Sequence, residues 1–62
     1  MKIRDVLKRL KADGWTIDRQ SGGSHRVLTH PTKQGIVVLA GHEGQDLAPG
    51  TLNSVWKQAG LK

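Results

Sequence analysis

Cysteine is absent from the 62 residues. That excludes disulfides, Cys-ligated zinc and thiol catalysis together. Acidic residues are scarce, with five Asp and Glu against ten Lys and Arg, for a net charge of +5. The five carboxylates (Asp5, Asp13, Asp18, Glu43 and Asp46) are scattered along the chain. Metal-assisted phosphodiester cleavage gathers several oxygens at one point, so neither a metal nor another cofactor is expected. The longest apolar run is Ile36 to Ala40, far short of the roughly 20 residues that cross a membrane. The opening Met1-Lys2-Ile3-Arg4-Asp5 is charged and lacks a signal-peptide core. A cytoplasmic protein with no membrane partner is the simplest expectation. Repeats, linkers and low-complexity segments are also missing, which leaves one small domain over residues 1–62. A chain of this size buries only about 60% of its unfolded surface. Without staples, such a domain often leans on a partner for further burial.

Positive charge is what the chain has in excess. Lys2, Arg4, Lys8, Arg9 and Lys11 all fall within the first eleven positions. A basic excess on so small a domain points first to nucleic acid and second to an acidic protein.

The apolar pattern predicts a helix over about Lys2–Ala12, with Ile3, Val6, Leu7 and Leu10 on one face. Asp13-Gly14 ends it. Strands are expected at Trp15–Gln20, Ser24–His30 and Ile36–Ala40, separated by Ser21-Gly22-Gly23 and by Pro31-Thr32-Lys33-Gln34-Gly35. In the first strand, Trp15, Ile17 and Arg19 alternate with Thr16, Asp18 and Gln20. The third is apolar throughout, so it is either buried on both faces or covered on one by another chain. A second helix starts near Pro49 and repeats Leu52, Val55, Trp56 and Ala59 on one face until Gly60. The fold class is α+β: an antiparallel three-stranded sheet with both helices on one face.

Chemistry concentrates at Gly22-Gly23-Ser24-His25-Arg26. His25 can take and give a proton near neutral pH. Ser24 is small enough to leave room for a ligand, and Arg26 offers a charge partner for phosphate. In isolation, Gly-Ser-His is a hairpin turn with a histidine after it. His30 lies at an odd offset from His25, so a regular strand turns it to the opposite face, as a turn residue. His42 sits in a polar loop. A three-histidine zinc site is disfavoured by those opposite faces and by the absence of cysteine. Arg4, Lys8 and Lys11 form a stripe on the first helix, suited to phosphates or simply to solvent. Trp15 and Trp56 fall in apolar registers, which places them in the core rather than under stacked bases.

Leu10 to Gly14-Trp15, Gly23-Ser24-His25, His30-Pro31, Leu47-Ala48-Pro49-Gly50-Thr51-Leu52 and Lys57-Gln58-Ala59-Gly60-Leu61 occur in an order and spacing that covers nearly the whole chain. In this the chain resembles the HicA family of bacterial toxin ribonucleases. The resemblance implies a helix-strand-strand-strand-helix fold similar to double-stranded-RNA-binding domains. It also implies cleavage of mRNA, a catalytic histidine at His25, and a neutralising HicB-type antitoxin. In folds of that type the first helix meets the RNA minor groove, which would engage Arg4, Lys8 and Lys11. The leading expectation is a toxin endoribonuclease. The alternatives are a non-catalytic RNA-binding module, which needs only the cations, and a subunit whose one task is to bind a protein.

Overall fold

A computed structural model describes residues 1–21 and 25–61. The helix α1 spans Ile3–Ala12, followed by strands β1 (Thr16–Ser21), β2 (His25–Thr29) and β3 (Val37–Ala40), and helix α2 spans Pro49–Gln58. The strands form an antiparallel sheet in the order β1-β2-β3, so β2 is central and both others are edges. This is the α+β architecture expected from the sequence. Among the described residues no helix is long and apolar enough to cross a membrane.

The core joins Ile3, Val6, Leu7 and Leu10 of α1 to Trp15, to Leu28, Val37 and Leu39 of the sheet, and to Val55 and Ala59 at α2. Leu52, Trp56 and Leu61 pack against it, partly buried. One face of the sheet is thus covered by both helices and the other is open. Each fully buried Leu or Ile contributes about 1.5–3 kcal/mol relative to exposure.

Both helices end in the same way. Trp15 N–H donates to Leu10 C=O across Gly14, and Leu61 N–H donates to Trp56 C=O across Gly60. Such endings need a left-handed residue, and Gly14 and Gly60 have φ of 105° and 70°. The start of α1 is less usual. Its N-cap, Lys2, makes no side-chain cap. The loop after β3 supplies the acceptors instead: Ile3 N–H donates to Gln45 C=O and Arg4 N–H to Glu43 C=O. Lys2 Nζ adds a bond to Gly44 C=O.

A polar staple ties three elements together in a chain that has no cysteine. Lys33 Nζ donates to Asp13 Oδ2 at 2.6 Å and to Ala59 C=O at 3.0 Å. One ammonium therefore holds the β2–β3 loop to the C-terminal ends of both helices, where the helix dipoles favour a cation. The hydrogen bond from Lys33 holds the Asp13 carboxyl below its usual value of 3.8. A depressed carboxylate stabilises the fold fully above its unfolded pKa, and that stability is lost as pH falls through the folded value. The thermal midpoint is expected to drop as the pH falls through and below about 4, the unfolded carboxylate range, and the Asp13→Asn variant to show a flatter curve there. Parallel curves for the two proteins would remove Asp13 from the account.

Candidate active site

His25 opens the central strand, paired with Ser21 of β1 and Ala40 of β3. Side chains alternate along β2, giving an exposed His25, a buried Arg26, a half-buried Val27 and a buried Leu28. Leu28 belongs to the core, so its face is the helix-covered one. His25 and Val27 therefore stand on the open face, and Ala40 opposite His25 is a small neighbour. An imidazole in that position is free to meet a ligand from solvent.

The register carries this parity to the neighbouring strands, because directly paired residues point to the same side. Arg19 pairs with Val27, and Val38 pairs with Val27 from the other flank. Arg19 thus belongs to the open face, not with Trp15 and Ile17 as strict alternation suggests. The cause is a bulge between Ile17 and Arg19: an extra residue in one strand shifts the phase of everything after it.

Arg26 does not take the place expected of it. Its side chain is 4% exposed, and Nη1 donates to the Gly41 carbonyl at 2.9 Å. The reason is parity again. One residue beyond His25, the chain must point to the covered face. A guanidinium enclosed there is not available to an RNA phosphate; it ties the His25 end of β2 to the corner after β3. That corner is cramped. Gly41 has φ of 123°, and a Cβ built on it would meet Ile3 Cδ1 at 2.6 Å. Beyond it, Gln45 N–H closes a turn onto His42 C=O, and the His42 side chain is exposed.

His30 lies on the covered side, as its offset from His25 requires. Its Nε2 sits 2.7 Å from Asp13 C=O, while Nδ1 faces the Thr32 and Lys33 N–H groups at 3.1 and 3.0 Å. A carbonyl only accepts and an N–H only donates, so the proton belongs on Nε2 and Nδ1 is the acceptor. The ring meets Trp15 edge-on with centroids 5.2 Å apart. This histidine is structural.

Arg4, Lys8 and Lys11 are all exposed on α1. The helix lies on the face away from His25, so the stripe and the imidazole do not share one surface. Arg4 comes closest in the chain's layout, because its N–H is bonded to the loop that begins just past Ala40. Lys8 and Lys11 follow at about 6 and 10 Å along the axis, from the helical rise. Ser24 lies outside the described residues. Trp15 is fully buried. Trp56 is half-buried and lines an open cleft of about 290 Å³ with Met1, Arg9 and Leu61, on the helical layer rather than beside His25. Among the described residues, no three His, Asp or Glu side chains gather closely enough to hold a metal ion.

No curated protein matches the chain. The pattern of the family described as the HicA toxin of bacterial toxin–antitoxin systems matches residues 3–61, from the first residue of α1 to the residue that closes α2. The match embraces both helices, all three strands and the position of His25, and the chain therefore belongs to the HicA toxin family.

Proposed function

We propose that this toxin is an endoribonuclease that cleaves mRNA with His25 as its acid–base group. The observation that carries the reading is the exposure of His25 on the open face of the central strand, with no hydrogen-bond partner among the described residues to explain it. RNA brings its own nucleophile. A histidine can take the proton of the 2′-OH as that oxygen attacks the adjacent phosphorus, and the 5′-oxygen leaves with a proton in turn. The products are a 2′,3′-cyclic phosphate and a free 5′-OH, and no metal is required. Ser24, beside His25 in sequence, is retained as a contact to the substrate. Arg26 acts through position, holding the strand end that carries His25.

In this reading Arg4, Lys8 and Lys11 bind a stretch of the RNA backbone away from the scissile phosphate, because they do not share a surface with His25. Each phosphate contact contributes about 0.7 to 0.9 to the slope of log K against log salt. Neutralising the three together is expected to flatten that slope by about two units, measured by fluorescence anisotropy with a labelled RNA. An unchanged slope would make the stripe a solvated helix face.

Neutralisation falls to a HicB-type antitoxin that covers His25. The deciding experiment is inducible expression of the wild type against His25→Ala, followed by growth and mRNA integrity. Arrest with mRNA loss for the wild type alone supports the reading. Equal RNA binding by both with cleavage by neither would favour a non-catalytic RNA-binding module.

A further inference from the structure

Strand β3 has an unusual outer side. Its burial alternates, with Val37 and Leu39 in the core and Val38 and Ala40 exposed. The apolar run therefore is not buried on both faces. Ile36 and Val38 are 52% and 48% exposed, large aliphatic side chains at alternate positions and so on one face. Val27 stands beside Val38 in the register, and Ala40 stands beside His25. An aliphatic patch of Ile36, Val38 and Val27 thus runs along the open face up to the catalytic histidine.

The edge tells the same story. A sheet edge offers unpaired N–H and C=O groups, and proteins usually blunt it with charge, a bulge or proline. The opposite edge, β1, carries both a bulge and the exposed charges Asp18 and Arg19. Strand β3 holds no charged residue and no bulge, and among the described residues no strand pairs with its outer side.

We infer that β3 and the patch of Ile36, Val38 and Val27 form the docking surface for the antitoxin, an acidic protein that lays an extended segment along β3. The patch does not suit RNA: sheets that hold bases do so with aromatic rings, and here the residues are aliphatic in a chain with no Phe or Tyr. It does not suit a second copy, since each copy brings a net charge of +5 and two would repel. Opposite charge on the partner speeds the encounter, and strand addition supplies main-chain hydrogen bonds while side-chain pockets supply specificity. A partner that adds a strand outside β3 and folds over the patch reaches the open face beside His25, which is how it would exclude substrate. The inference takes its partner from the proposed function, but its test does not depend on cleavage.

The test uses the toxin in a His25→Ala background and a purified HicB-type antitoxin, the partner of the proposed function. Val38→Glu and Ile36→Glu each place a like charge before an acidic partner at an exposed position, and Gln58→Glu on α2 is the control. Each of the two is expected to weaken binding at least about 30-fold, the effect of losing an interface hot spot, with circular dichroism unchanged and the control binding like the parent. With His25 restored, Val38→Glu should arrest growth even when the antitoxin is co-expressed. Binding within about threefold of the parent for both variants would overturn the inference. So would a loss of RNA affinity without a loss of antitoxin affinity, or a toxin dimer that Val38→Glu dissociates. If the wild type fails to arrest growth while the two variants still lose the antitoxin, the ribonuclease reading falls and the docking surface stands.

Discussion

Replacing His25 with alanine is expected to slow RNA cleavage by about 10²- to 10⁴-fold, the usual yield of a positioned acid–base group. The fold should not notice. His25 is exposed, and among the described residues neither of its ring nitrogens meets a partner in the way that those of His30 do. The thermal midpoint and circular dichroism of the variant should therefore match the wild type, and so should its affinity for RNA. Cleavage by the wild type should persist in EDTA and leave cyclic-phosphate ends. Single-turnover cleavage of a labelled RNA, with both proteins at the same folded concentration, makes the comparison. An alanine variant that cuts at the wild-type rate would remove His25 from the chemistry. Full inhibition by EDTA, reversed by magnesium, would replace the metal-free route with a metal-assisted one.

The two amphipathic helices and the order of elements were legible because their signals are local. Ile3, Val6, Leu7 and Leu10 recur at helical spacing and are buried together. Gly14 and Gly60 stand where a left-handed residue must. Strand parity sets His25 and His30 on opposite faces, and it sends Arg26 inward as well. Arg26, one residue from His25, therefore points away from the phosphate that a cation beside a histidine would suit. The phase of β1 was not legible. A bulge at Asp18 turns Arg19 to the open face, and nothing in Thr16 to Gln20 marks the extra residue. The run Ile36–Ala40 was apolar on both faces, but a three-stranded sheet with helices on one side can bury only one of them. The capping of α1 by the loop after β3 depends on contacts some forty residues apart. A trace of it exists in the sequence: Lys2 is a poor N-cap, so the helix must draw its acceptors from elsewhere.

His30→Ala is expected to do the reverse of His25→Ala, sparing the chemistry and damaging the fold. The substitution removes the acceptor of two backbone N–H groups and the donor to Asp13 C=O, at about 1 kcal/mol for each hydrogen bond. It also removes the edge-on contact with Trp15, worth about 0.5–1.5 kcal/mol. A loss of about 3.5–4.5 kcal/mol follows. A domain of this size holds only about 3–9 kcal/mol in all, and 1 kcal/mol moves its midpoint by about 4–8 °C. The variant should melt at least about 12 °C below the wild type, and at 37 °C a sizeable fraction should be unfolded. Two finer variants divide the effect by atom. Asparagine can place an oxygen near the Nδ1 position and recover the Thr32 and Lys33 N–H groups. Glutamine can place its amide nitrogen near Nε2 and recover Asp13. Each should melt between the alanine variant and the wild type. Cleavage per folded molecule, measured well below the lowered midpoint, should stay within a few-fold of the wild type for all three. A variant that keeps its midpoint but loses cleavage would move His30 from the frame of the protein into its active site. Strand parity would then no longer separate the two histidines.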